Sequence, residues 1–156
     1  IGYCESGPYE KMIIIPSYDT NGRLNFFTGR SYYKDVSFKH KNPTVSKDII
    51  GFELFINWNK PITIVEGAFD AIAVKRNAIP LFGKIILDKL KKAIIEKSVK
   101  EIYIALDKDA HSKALDICQY FRNNGIKVNL VELNDKDPTQ PITGSELMIK
   151  KMGIAF

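Results

Sequence analysis

From Lys60 onward, short apolar runs alternate with helix-patterned segments, and this alternation does most to restrict the fold. Ile62-Thr63-Ile64-Val65 reads as a buried strand and is followed by a helical pattern over Ala68–Arg76. A short strand over Ile79–Phe82 leads to a helix over Asp88–Lys97. The strand Glu101–Leu106 precedes a helix over Ser112–Asn123, which Asn124-Gly125 ends. Lys127–Leu133 is the fourth strand, and Ser145–Lys151 reads as a last helix. Parallel strands need long crossovers, which helices supply, so the pattern predicts an α/β fold: a small, mostly parallel four-stranded sheet with flanking helices.

The segment before Lys60 differs. From Lys11 to about Asn59 the signals are strand and loop. Met12-Ile13-Ile14-Ile15 reads as a short strand, Asp19-Thr20-Asn21-Gly22 as a hairpin turn and Leu24–Thr28 as the returning strand, which Gly29–Tyr33 continues or bulges. Lys34–Lys47 is polar and loop-like. The expected division is a basic, β-rich unit over 1–59 and an α/β unit over 60–156.

Carboxylates cluster where three predicted strands end. Ile62–Val65 runs into Glu66-Gly67-Ala68-Phe69-Asp70, Glu101–Leu106 into Asp107-Lys108-Asp109, and the fourth strand into Asp135-Lys136-Asp137-Pro138. Ligands of open α/β sheets bind at that edge. Crowded carboxylates repel, so the group calls for a cation, and hard oxygen ligands favour Mg²⁺ or Mn²⁺. Gly67 is expected to leave room beside Glu66, and Asp70 to lie on the same side of the chain as Glu66. An extended Asp107-Lys108-Asp109 would point both carboxylates one way. Each site alone has a plainer reading. Asp70 can complement a helix dipole, Asp109 can cap the next helix, and Asp137 before Pro138 can make a turn. The three together, each after a strand of one sheet, favour a metal-dependent site.

The N-terminal segment carries cations among aromatic rings. Arg23, Arg30, Lys34, Lys39, Lys41 and Lys47 interleave with Phe26, Phe27, Tyr32, Tyr33, Phe38 and His40. Cations contact phosphates and rings stack on unpaired bases, though part of the aromatic set must form core. The net charge of +5 agrees with a polyanionic partner. Cys4, expected in an N-terminal tail, and Cys118, on a helix face, are too few for a zinc site or a disulfide framework. No apolar run reaches membrane-spanning length and no signal peptide is visible, so no membrane partner is expected. The run Lys89-Leu90-Lys91-Lys92 reads as a solvated helix face, and His40 and His111 lack partners at metal-ligand spacing.

In order and spacing, the acidic sites resemble those of the TOPRIM domain of DnaG-type DNA primases, topoisomerases and some nucleases. The resemblance continues upstream in the manner of primases. Asn21-Gly22-Arg23-Leu24-Asn25-Phe26-Phe27-Thr28-Gly29-Arg30 is similar to a glycine- and arginine-rich primase segment, and Phe38-Lys39-His40-Lys41-Asn42-Pro43 to the lysine-asparagine stretch after it. Asn77–Gly83 sits where primases carry the strand following the first acidic motif, so roughly Lys11 to Pro138 is covered. Departures are Lys108 where the family has glycine, His111-Ser112 for a small Ala-Gly pair, and Thr139 for a second acid.

The resemblance implies the RNA-polymerase core of a primase of compact, phage-like size. That enzyme would make short RNA primers on single-stranded DNA from ribonucleoside triphosphates, in the cytoplasm. It implies Glu66, Asp107 and Asp109 as catalytic residues and Glu66, Asp70, Asp107, Asp109 and Asp137 as holders of Mg²⁺ or Mn²⁺. Arg23, Arg30, Lys34, Lys39 and Lys41 would bind template or nucleotide. The family's zinc-binding module and helicase-binding region have no counterpart here, so a replicative helicase would engage through other regions. A TOPRIM-type nuclease and a non-catalytic DNA-binding module are the alternatives.

Overall fold

The computed structural model describes residues 1–33 and 39–131. The N-terminal part is a four-stranded antiparallel sheet in the order β1 (Gly2–Cys4), β2 (Met12–Tyr18), β3 (Leu24–Ser31), β4 (His40–Lys41). Cys4 therefore lies in an edge strand rather than a tail, because Gly2–Cys4 finds ladder partners in Met12–Ile14. The hairpin turn forms as its sequence demands. Asp19 accepts the backbone N–H groups of Asn21 and Arg23 at 2.9 Å each, and Gly22 takes the left-handed conformation at φ 74°. The strands run longer than their apolar runs, and the irregularity falls at Ser17/Tyr18 in β2 rather than after Gly29.

The second sheet contains β5 (Ile62–Val65), β6 (Ala78–Pro80), β7 (Glu101–Ala105) and β8 (Lys127–Leu130), all parallel, in the order β6-β5-β7-β8. Its connections are α1 (Ala68–Val74), α2 (Asp88–Glu96) and α3 (His111–Asn123). The helices cover both faces, and strand alternation assigns the residues. Ile62, Ile64, Ile102 and Ile104 point to a core shared with Leu90 and Ile94 of α2 and Ala114, Ile117 and Phe121 of α3. Val65 and Ala105 point the other way, toward Ala71 and Val74 of α1. The expected α/β architecture is thus the one observed.

Element ends moved by a few residues. α1 stops at Val74, where Lys75 adopts the left-handed conformation at φ 51°. Lys34, Phe38, Asp135, Asp137, Thr139, the end of the fourth strand and the Ser145–Lys151 helix lie outside the described residues.

The two sheets meet through an apolar seam. Ile15 and Phe26 of the antiparallel sheet pack with Ala68 of α1 and with Phe82, and the Phe26 and Phe82 rings are 4.6 Å apart. The segment from Lys47 to Phe52 stitches the same seam with polar contacts. Lys47 Nζ donates to the Phe82 carbonyl at 2.9 Å, and the Phe52 N–H donates to the fully buried Ser17 hydroxyl at 2.9 Å.

Candidate active site at the carboxylate edge

The direction in which strands are added to the parallel sheet reverses between β5 and β7. From β5 the chain crosses to β6 on one side, and from β7 to β8 on the other. That is the switch point at which open α/β sheets leave a crevice beyond their strand ends. Val65 pairs with Ala105, so Glu66 and Asp107 emerge from adjacent strands at this crevice.

Glu66 is half-buried, and its Oε2 is buried without a hydrogen-bond partner. Burial pushes its carboxyl above the ordinary glutamate range. The like charge of Asp107 adds to this, with smaller contributions from Asp109 and Asp70, and the Lys84 ammonium opposes it. The opposing cation is absent from the sequence-based set of site residues. Lys84 follows β6, the neighbour of β5 on the side away from β7, and its ammonium pairs with the Asp109 carboxylate. The contact strengthens the lysine's hold on its proton. The available signal was positional: Gly83-Lys84 closes the run after a third strand of the same sheet, at the edge where the acids gather.

The other acids divide. The Asp107-Lys108-Asp109 stretch is not extended, because Lys108–Ala110 closes a tight 3-10 turn in which the Ala110 N–H bonds to the Asp107 carbonyl at 2.9 Å. Asp109 does not cap α3; it faces Lys84. Asp70 reaches back to accept the Gly67 N–H at 3.0 Å, so it caps α1. Gly67 has an ordinary extended φ of −127°, and the space beside it is taken by Asp70, whose Oδ2 would stand 3.1 Å from an added Cβ. Among the described residues, no three His, Cys, Asp or Glu side chains converge as a metal-ligand group. The pair brought together is Glu66 and Asp107, with Asp109 held by the lysine. Carboxylates at a sheet edge, one with a buried unpartnered oxygen, fit a hard divalent cation.

The basic residues are also sorted. Arg30 lies on β3 opposite His40, and its guanidinium stands 4.7 Å from the centre of the Phe69 ring on α1, next to Asp70. Arg30 therefore joins the antiparallel sheet to the helix that begins at the carboxylate edge. His40 is held below the ordinary histidine range by desolvation and by the Arg30 charge, against an opposing pull from Asp70. Arg23 is exposed at the hairpin turn and Lys39 is exposed beside β4. Lys41 is engaged within the protein, donating to the Pro8 carbonyl at 2.6 Å over the Tyr9 ring.

No family model matches the chain. It is 27% identical over 143 residues to the uncharacterized protein MG010 of Mycoplasma genitalium, an alignment covering 85% of this chain and 64% of that protein. It is also 27% identical over 140 residues to the DNA primase of Mycoplasma pneumoniae, covering 81% of this chain and 23% of the primase. The chain thus spans under two thirds of the length of these relatives. In structure it is similar to the E. coli primase catalytic core, with a TM-score of 0.68 and 19% identity over 93% of this chain and 52% of the other. A DnaG primase catalytic domain bound to single-stranded DNA gives a TM-score of 0.68 and 20% identity, covering 83% of this chain and 47% of the other. With its antiparallel sheet set against a TOPRIM-type parallel sheet, the chain has the fold of DnaG-type primase catalytic cores.

Proposed function

We propose that this chain is the catalytic core of a DNA primase. It would bind single-stranded DNA and two ribonucleoside triphosphates and join them with release of pyrophosphate. The observation that carries this reading is the juxtaposition at the switch point. A carboxylate with a buried, unpartnered oxygen emerges beside Asp107, and the Arg30-bearing sheet docks against the helix that starts there. The fold likeness and the binding of single-stranded DNA by one structural neighbour support it.

In this reading Glu66, Asp107 and Asp109 would hold Mg²⁺ or Mn²⁺, Asp109 being the one that pairs with Lys84 in this structure. Asp70 supports the loop after β5, and Asp137 belongs to the same set. When bound, the ion neutralises the triphosphate and makes the attacking hydroxyl more acidic. The 3′-oxygen of one nucleotide forms a bond to the α-phosphorus of the next, and the bond from that phosphorus to the β-bridging oxygen breaks. Glu66, which emerges at the switch point beside Asp107, is the residue that would take the hydroxyl proton. Arg23, Arg30, Lys34 and Lys39 would contact phosphates, with Lys41 bracing the antiparallel sheet through Pro8 and Tyr9. Residues 1–59 then form the template-binding unit and 60–156 the catalytic unit. Helicase coupling would belong to parts of a longer protein, and the work would be done in the cytoplasm, where bacterial and phage DNA is copied.

The test mixes the purified chain with labelled single-stranded DNA of mixed sequence, separately labelled ribonucleotides and Mg²⁺ or Mn²⁺, beside Asp107→Asn. Short RNA made by the parent and not by the variant is the expected result. Shortened DNA without RNA would replace the reading with a nuclease. DNA binding without either product, unchanged when a primase zinc module is added in trans, would replace it with a non-catalytic module.

A further inference from the structure

Tyr3, Tyr32 and Tyr33 are exposed at 50%, 47% and 47%, although tyrosine rings are large enough to be drawn into cores. They are gathered rather than scattered. The Tyr3 and Tyr32 ring centres are 5.6 Å apart, those of Tyr32 and Tyr33 4.3 Å, and the hydroxyls form a chain at 3.0 and 3.2 Å. The Tyr33 N–H donates to the Ser31 hydroxyl at 3.2 Å, fixing the exit from β3. Each ring thus packs against another tyrosine while about half of its surface stays open to water.

Register places this group. Tyr3 pairs with Ile13, Ile13 with Arg30, and Arg30 with His40. Residues directly opposed across antiparallel strands point to one face. Ile13 packs into the seam with α1 and Arg30 stands over Phe69, so this face is the one turned toward the carboxylate edge. Tyr32 follows Arg30 by two residues and meets Tyr3. Three cations lie along the same strands: Arg30 two residues before Tyr32, Lys39, whose carbonyl accepts the Ser31 N–H at 3.0 Å, and Lys11, which is paired with Glu10 at 3.4 Å and acts electrostatically on Tyr33.

We propose that Tyr3, Tyr32 and Tyr33 form a stacking shelf for unpaired nucleobases, continuous with the row that carries Arg30. The identification of the bases with a template strand rests on the primase reading above. Rings already braced by one another lose little freedom when a base stacks on them. Cations alongside meet the phosphates while the rings meet the bases, a division suited to single-stranded nucleic acid. A duplex keeps its base faces covered and gains nothing from the shelf.

The test measures fluorescence anisotropy of a labelled oligothymidylate, and of an abasic strand of equal length, across a range of salt concentrations. The proteins are the parent chain and its Tyr32→Ala, Tyr32→Phe and Arg30→Ala variants. Tyr32→Ala is expected to weaken oligothymidylate binding roughly fivefold or more, as loss of one stacked base implies. The slope of log Kd against log salt should stay the same, because no phosphate contact is lost. Tyr32→Phe should restore most of the affinity, which guards against a folding defect, and the abasic strand should bind parent and Tyr32→Ala alike. Parent-like binding of oligothymidylate by Tyr32→Ala, or an equal loss on the abasic strand, overturns the shelf. If Arg30→Ala still lowers the salt slope in that case, the nucleic-acid reading survives without it. Failure of the parent to bind either strand overturns both.

Discussion

The Lys84 ammonium is bonded to the Asp109 carboxylate across the end of β5, linking the loop after β6 to the turn after β7. The end it spans is the one from which Glu66 emerges. A lysine in that place does part of what a metal ion would do, since it offsets the mutual repulsion of Glu66, Asp107 and Asp109.

Lys84→Met is therefore expected to tighten Mn²⁺ binding a few-fold, because the ion no longer competes with an exposed ion pair of modest strength. Titration calorimetry of parent and variant measures this. Equal or weaker binding in Lys84→Met would show that the lysine assists the ion instead.

Glu66 gives a pH signature. Its carboxyl is raised in the folded protein, so between the ordinary glutamate pKa and the folded value the native state holds more protons than the unfolded chain. Stability then falls as pH rises through that window. In the absence of divalent ions, Glu66→Gln should melt with the parent below the ordinary glutamate range and above it at neutral pH. A variant no more stable than the parent at neutral pH would contradict the burial of this carboxylate.

Glu101 predicts the opposite sign. Its carboxylate receives Lys127 Nζ at 2.9 Å, Asn129 Nδ2 at 2.8 Å and the Tyr103 hydroxyl at 3.1 Å, binding β7 to β8. The Lys127 contact leads in lowering its pKa. The stabilisation is present above the ordinary glutamate pKa and is lost as pH falls through the folded value. Glu101→Gln should lower the melting temperature at neutral pH, and the gap should close in acid. A gap that persists unchanged in acid would rule out charge as its cause.

Gly51 is where the connecting segment meets β6 at closest approach. A Cβ there would stand 2.3 Å from the Pro80 carbonyl oxygen and 2.8 Å from Pro80 Cγ. Since backbone has to move, Gly51→Ala should destabilise by about 1–3 kcal/mol, the usual cost of overpacking. Denaturant unfolding measures it, and a midpoint unchanged from the parent would mean that the segment can lift off the strand.

The parallel sheet was legible in the sequence because its strands are buried on both faces. Runs such as Ile62–Val65 and Glu101–Ala105 are then dominated by apolar residues on both faces, and the helices between them must carry one apolar face. The placement of Glu66 and Asp107 at the strand ends follows from those runs alone. Their partnerships do not. Asp70 turned back to its own helix terminus, and Asp109 was carried by a tight turn to a lysine 25 residues away in sequence.

By itself the sequence determined the α/β order, the hairpin at Asp19–Gly22 and the edge on which the acids lie, because each depends on local periodicity and turn chemistry. Only the tertiary structure decided which cation faces the acids, that Arg30 bridges to Phe69, and that Asp48 supplies the cap to α2 by accepting the Lys89 N–H at 2.9 Å. Those contacts join residues far apart along the chain. Their partners are chosen by sheet order and by the packing of one sheet against the other, which no local pattern encodes.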